Sequence, residues 1–285
     1  MLCRANRERC ADGALLQWYD CHTHSLYSHD SSCDPLDMLR EAQKRNLSGF
    51  AITDHCDIEF FHQKDVTTPV VASAEVAKRL SGKGNITVLS GVEIGEGIWD
   101  PAAAAEVIAS ADFDVVLGSV HAVRYRNDTD PYSGIDFSVF SDTEIAESLK
   151  VYFEDVKEMA ETMDFDVLAH LDCPLRYITG KYGRTVDMAP YDAQIEEILR
   201  IITSRSIALE INTAGSGRFA FPFRPAKEIL ERYRSLGGYL ITLGSDAHVA
   251  ENVGRAFSET VSVLTELGFE NAYYFIKRRP VPYAL

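Results

Sequence analysis

The sequence predicts an α/β barrel built as one domain, and two patterns carry that expectation. Short apolar runs alternate with amphipathic helical stretches along most of the chain. Several of those runs are apolar throughout, as parallel strands covered on both faces require. Seven such strands can be read, at 18–22, 49–53, 86–93, 115–120, 167–170, 208–211 and 239–244. That is one short of the standard eight-stranded barrel.

Residues 1–17 precede the first strand as an N-terminal extension. It begins with basic residues but has no apolar segment of the kind a secretory signal needs. After the first strand, Asp34-Pro35 marks a helix start, an N-cap followed by proline at the first helical position. Asp100-Pro101 repeats the signal before an alanine-rich helix that follows the third strand. The connection 125–140 is long and is expected to form a lid or rim. Thr143 is expected to cap the longest helix, in which Ile145, Leu149, Phe153, Val156 and Met159 keep helical spacing. Gly237-Gly238 ends the helix that leads into the last strand. No linker, repeat or low-complexity run breaks the pattern, so residues 1–285 are expected to form a single domain.

Composition narrows the function. The chain carries a net charge of −15, and polyanions should be repelled. Nucleic acid is therefore not an expected partner, whereas a small anion remains one if cations line its pocket. No stretch is apolar enough to span a bilayer, so a cytoplasmic location without a membrane partner is expected. The six cysteines are scattered, with no C-x-x-C pair. Cys21, Cys56 and Cys173 are expected to be apolar fillers rather than nucleophiles.

Seven of the eight histidines fall in short clusters near strand ends. The clusters are His22-Thr23-His24, Asp54-His55, Ser119-Val120-His121, His170-Leu171-Asp172 and Ser245-Asp246-Ala247-His248, joined by Gly91-Val92-Glu93 and by His29-Asp30. Imidazole and carboxylate are ligands for first-row divalent metals. Apart from His29-Asp30, each cluster sits at the C-terminal end of a predicted strand or just after it, the edge at which barrel active sites form. Histidines that merely filled a core would have no reason to keep that phase. His-x-His and Asp-x-His on an extended chain also point both side chains the same way. His62, beside Phe60 and Phe61, lies outside the pattern and is expected to be unrelated.

Taken in order, these strings resemble the PHP (polymerase and histidinol phosphatase) family. The resemblance runs from His22-Thr23-His24-Ser25 to Gly244-Ser245-Asp246-Ala247-His248. It implies a distorted seven-stranded (β/α)7 TIM-like barrel, in keeping with the strand count, and up to three divalent ions, zinc, manganese or iron. It implies that His22, His24, Glu93 and Asp246 hold one ion. Glu93 would bridge to a second, shared with His121 and His170. Asp30, His55 and His248 would hold a third, with His29 the alternative to Asp30. Glu93, Asp246 and His248 thereby become catalytic as well as metal ligands. A bridging carboxylate suits ions roughly 3.5–4 Å apart, a spacing used to activate water for attack on phosphorus. Asp20, Asp54 and Asp172 adjoin the ligands, and either orient the histidine rings or cap loops.

Within the family, the chain most resembles the stand-alone histidinol-phosphate phosphatases. The strings are the run from Phe165 to Asp172 followed by Arg176-Tyr177, and Leu209-Glu210-Ile211-Asn212-Thr213-Ala214-Gly215 followed by Arg218. This implies hydrolysis of a small phosphorylated substrate, histidinol phosphate, by a metal-bridged hydroxide. Arg176 and Arg218 would bind the substrate, Arg176 with a catalytic role, because a guanidinium fork matches phosphate oxygens. Two departures stand out. Ser216-Gly217 lengthens the spacing to Arg218, and 177–190 is rich in glycine and basic residues. Two other functions fit the same residues. One is a phosphoesterase acting on nucleotide or oligonucleotide phosphates, although such relatives often carry aspartate-glycine where this chain has Asp30-Ser31. The other is a non-catalytic binding scaffold stapled by metals.

Overall fold

The computed structural model describes residues 18–124, 130–215 and 223–285, so the expected extension 1–17 lies outside the described residues. The strands are β1 (Tyr19–Asp20), β2 (Gly49–Ile52), β3 (His55–Asp57), β4 (Thr87–Gly95), β5 (Val115–Ser119), β6 (Val167–Leu168), β7 (Ala208–Asn212), β8 (Ile241–Gly244), β9 (Asn271–Ile276) and β10 (Arg279–Ala284). The helices are α1 (Pro35–Lys44), α2 (Thr67–Leu80), α3 (Pro101–Ala109), α4 (Asp142–Thr162), α5 (Cys173–Ile178), α6 (Asp192–Arg205), α7 (Lys227–Ser235) and α8 (Phe257–Glu266).

The main sheet is wholly parallel, in the order β1-β2-β4-β5-β6-β7-β8, with β3 also paired to β4. β2 and β3 share one register on β4, since Ile52 faces Ser90 and His55 faces Glu93. They are a single barrel strand broken at Thr53-Asp54, and the seven predicted strands stand. The barrel closes between its first and last strands. Cys21 N donates to Leu243 O at 2.7 Å, Asp246 N donates to His22 O at 2.8 Å, and Thr23 bridges Ala247. Phe50, Ile52, Val92, Ile94, Leu117, Leu209, Ile211 and Leu243 are fully buried, which explains their uninterrupted apolar runs.

The helix signals act as read, with one correction. Asp34 accepts from Leu36 N and Asp100 from Ala103 N, each followed by proline. Gly237, at φ 85°, ends α7, and Gly238 N returns to Tyr233 O. The cap of α4 is Ser141, not Thr143. Its hydroxyl accepts from Glu144 N while the Glu144 carboxylate accepts from Ser141 N, a reciprocal box that satisfies two end donors.

The described part of the 125–140 connection, 130–140, forms a rim packed from beneath. Tyr132 and Phe137 are buried there, and Tyr132 meets Tyr152 edge to face at 5.6 Å. Arg184, in the unmatched basic stretch, donates to Phe137 O and Phe140 O and fixes that rim.

An antiparallel hairpin of β9 and β10 follows the barrel and had no counterpart in the strand reading. Tyr274 stacks on Tyr19 at 3.8 Å, and Tyr283 Oη donates to Tyr19 O at 3.4 Å. Arg278 at its turn pairs with Asp164 and Asp166, just before β6. Phe275 is 2% exposed. Phe275→Ala is expected to cost about 3–5 kcal/mol of stability. Urea unfolding with a midpoint equal to that of the parent would show that the hairpin is not part of the cooperative core.

Candidate metal centre

The chain places its predicted ligands at one end of the barrel. His22 and His24 follow β1, His55 opens β3, and Glu93 lies near the end of β4. His121 follows β5, His170 follows β6, and Asp246 and His248 follow β8. Parallel strands in common register make this convergence automatic, because their C-terminal ends meet at one rim. Two of the positions sit in strained backbone. His170 has φ 23° and Asp246 φ 52°, a region that non-glycine residues occupy at a cost of order 1–3 kcal/mol.

The donors fall into three neighbouring groups. In the first, His22 Nε2 and His24 Nε2 are 3.0 Å apart and lie 3.3 and 3.5 Å from Glu93 Oε2. Asp246 Oδ1 lies 3.4 Å from His24 Nε2 and 3.9 Å from His22 Nε2. In the second, Glu93 Oε1 stands 3.2 Å from His121 Nε2 and 2.9 Å from His170 Nε2, and the two imidazole nitrogens are 3.3 Å apart. In the third, Asp30 Oδ2 lies 3.0 Å from His248 Nε2 and 3.6 Å from His55 Nε2. Glu93 thus divides its two oxygens between the first two groups, and its Oε2 also stands 2.9 Å from His55 Nδ1 of the third. Of the two alternatives, Asp30 is the one within 4 Å of His55 and His248, while the His29 ring faces Asp57 at 3.8 Å.

Such an arrangement suits divalent cations. Imidazole nitrogens packed at hydrogen-bond distance from one another need a shared proton or a metal between them. Glu93 Oε2 is buried with no well-aligned hydrogen-bond donor, although His55 Nδ1 stands 2.9 Å away, and a cation would satisfy it. The electrostatics agree. Burial alone would raise the Glu93 carboxyl, yet His121, His22 and His55 hold it well below the usual range. Burial alone would lower the His55 ring, yet Glu93 and Asp30 push it up to about 10. Burial likewise opposes ionisation of Asp246, but the Arg176 guanidinium, His22 and His24 keep it strongly acidic.

The rings are steadied by residues other than those expected. Asp20 accepts from Ser245 N, Ser245 Oγ and Gly254 N, and Asp54 accepts from Ser25 and Ser28. Asp172 pairs with Arg224. These three aspartates therefore brace loops, and none bonds an imidazole. Glu210 Oε1 meets His22 Nδ1 at 2.6 Å, Ser28 Oγ meets His24 Nδ1 at 3.1 Å, and Asp57 Oδ1 meets His121 Nδ1 at 3.4 Å. His248 Nδ1 lies 3.0 Å from the Asp246 carbonyl oxygen, two residues back. Glu210 stood inside a string already singled out, but a lone carboxylate in an apolar strand does not advertise its partner.

Arg176 reaches the same rim. Its Nη2 donates to Asp246 Oδ2 at 2.6 Å and to Asn212 Oδ1 at 3.2 Å. A small pocket beside the second donor group is lined by His170, Asp172, Arg176, Asn212 and Arg224, so Arg224 adds a second guanidinium that the sequence reading missed. Arg218 lies outside the described residues. His62 stays apart, exposed and paired with Asp100 at 2.8 Å. Cys21, Cys56 and Cys173 are buried, and burial pushes the Cys56 thiol up to about 12 and the Cys173 thiol to about 11, which suits fillers.

Clustered imidazoles and carboxylates able to hold divalent ions, at the rim of a seven-stranded parallel barrel, fit a metal-dependent hydrolase, and comparison with known proteins makes the class specific. The PHP domain matches residues 20–214, and the chain belongs to the PHP family. It is 31% identical to a probable histidinol-phosphatase of Thermotoga maritima over 251 residues, 88% of this chain and 93% of that protein. It is 28% identical to a histidinol-phosphatase of Lactococcus lactis subsp. lactis over 262 residues, 90% and 93% of the two chains. The fold is similar to the crystal structure of the histidinol phosphate phosphatase from Lactococcus lactis complexed with zinc, L-histidinol and phosphate. That match has a TM-score of 0.73 and 25% identity, and covers 93% of this chain and 99% of that one. Among the described residues no helix is long and apolar enough to cross a membrane.

Proposed function

We propose that this chain is a metal-dependent phosphomonoesterase that hydrolyses histidinol phosphate to L-histidinol and phosphate. The observation that carries the reading is Glu93, a fully buried carboxylate whose two oxygens face two separate groups of imidazoles. Its similarity to an enzyme crystallised with zinc, L-histidinol and phosphate supports the substrate.

In this reading His22, His24, Glu93 and Asp246 hold one ion, Glu93, His121 and His170 a second, and Asp30, His55 and His248 a third. Zinc is the first choice, and manganese or iron suits the same mixed donors. When bound, the ions supply Lewis-acid charge to phosphoryl oxygens and lower the pKa of water. Everything else is done by the chain. Glu93 and Asp246 balance the concentrated positive charge. Arg176 engages Nη2 with Asp246 and Asn212 and keeps Nη1 and Nε for phosphate oxygens. Arg218, which follows β7 in the sequence, binds the substrate on the same logic. Arg224, held beside Asp172, adds positive potential to the pocket wall.

The test is inorganic phosphate release from histidinol phosphate against a panel of mononucleotides, with zinc or manganese. Histidinol phosphate should have the highest kcat/KM. Preference for a mononucleotide would move the chain to the nucleotide-directed branch, and no turnover on any monoester would favour a scaffold. Arg176→Ala should lower kcat/KM about ten- to a hundredfold, the worth of a charged hydrogen bond of about 1.5–3 kcal/mol. Metal content measured alongside separates lost substrate contact from a disturbed Asp246.

A further inference from the structure

Glu210 belongs to none of the three donor groups, yet it is completely buried. A carboxylate out of water is costly unless its lone pairs are used. Here they are. Oε1 meets His22 Nδ1 at 2.6 Å, while Oε2 accepts from His170 N at 2.6 Å and from Asn212 Nδ2 at 3.1 Å. One side chain thereby grips the ring of a residue from the first group and the main chain of a residue from the second. The His170 main chain needs a grip, because its φ of 23° is one that a histidine does not adopt unaided. Room for the carboxylate is reserved by Gly244. A Cβ there would stand 2.1 Å from Glu210 Oε1 and 2.8 Å from His22 Cβ.

We infer that Glu210 is a positioning residue that sets the His22 ring and the His170 backbone together, so that the first two ions are bound as a unit. The inference rests on the ligand assignment made above. By accepting the Nδ1 proton, Glu210 leaves the Nε2 lone pair of His22 facing Glu93 and Asp246. By accepting the His170 amide, it holds the second imidazole against the other oxygen of Glu93. Glu210 bonds His22, His170 and Asn212 and none of Asp30, His55 or His248, so the third group is an internal control. Asp57 and the Asp246 carbonyl steady one ring each; Ser28 meets the His24 ring and accepts from His55 N at 3.0 Å, tying the first group to the third, whereas Glu210 ties the first group to the second.

Glu210→Gln keeps the shape but has a single acceptor oxygen. It cannot accept from both His22 Nδ1 and His170 N. If its amide turns to His22, it favours the opposite tautomer, with the proton on the metal-facing nitrogen.

The experiment loads the full chain with zinc, challenges it with a chelator and counts retained zinc by elemental analysis. Glu210→Gln should keep the parent's circular dichroism but hold the first two ions about ten- to a hundredfold more weakly. The zinc that survives should be removed by adding His248→Ala. Retention equal to the parent, or equal loss of every ion, overturns the inference, the latter because it reports general collapse. Proton NMR of the metal-free chain gives a second reading that does not depend on the variant folding. The parent should show a downfield imidazole N–H from His22 bonded to a carboxylate, and its absence would also overturn the inference. A parent that retains zinc but hydrolyses no phosphomonoester sinks the proposed function and leaves this result standing. A parent that binds no zinc sinks both.

Discussion

Glu93→Ala is expected to lower kcat by about three orders of magnitude and to strip metal from the first two groups. The magnitude follows from what a Lewis acid contributes, several kcal/mol of transition-state charge stabilisation, at about 1.4 kcal/mol per decade. The loss should exceed that of any single histidine variant, because Glu93 faces His22, His24, His55, His121 and His170. Removing it also leaves those rings without the buried negative charge that keeps them together. Elemental analysis and steady-state kinetics on the same preparation check both parts. A variant that keeps the parent's metal count and turnover removes Glu93 from the centre.

Chelation is expected to abolish phosphate release and to be accompanied by proton uptake. In the metal-free chain His55 titrates near 10, raised against burial by Glu93 and Asp30, so it carries a proton at pH 8. A metal needs the neutral ring, so loading must expel that proton. Calorimetric zinc titration in two buffers of different ionisation enthalpy should report release of about one proton or more per chain at pH 8. Binding heats independent of the buffer would contradict the scheme. The sign for stability follows from the same shift. The folded value lies above the ordinary 6.5, so the contribution of His55 to the metal-free fold is complete below pH 6.5 and is lost as pH rises through about 10. Zinc-loaded protein should show less of that alkaline loss, since its ring no longer carries the proton.

Much of this was readable in the sequence, for physical reasons that can be named. Buried parallel strands leave apolar runs that no solvent-facing strand would show, and β4, β5, β7 and β8 stood out by them. Chemical side chains placed in phase with strand ends exposed the rim before any coordinates did. Other features were hidden because their signals are non-local or ambiguous. The role of Glu210 depends on His22, 188 positions away, and no spacing rule reaches that far. Asp20, Asp54 and Asp172 neighbour ligands in sequence but turn to serines, loop amides and an arginine in space. β10 contains Pro280 and Pro282, which lower strand propensity, although an antiparallel edge accommodates them. Thr143 and Ser141 are both good caps, and only the glutamate three residues on favours the serine.

The clasp of Tyr283 and Tyr274 on Tyr19 has a bearing on how the molecule comes into being. Tyr283 and Tyr19 are 264 positions apart, and the seam between β1 and β8 joins stretches almost as distant. Contacts of such long sequence separation form late, because loop closure must precede them. A ribosome-bound chain that has not yet emerged past residue 248 lacks one wall of the cation nest, and one short of 271–285 lacks the strap beneath it. On the proposed reading, a divalent ion met before residue 248 has emerged would find only a partial set of donors, so metallation would follow the closing of the barrel.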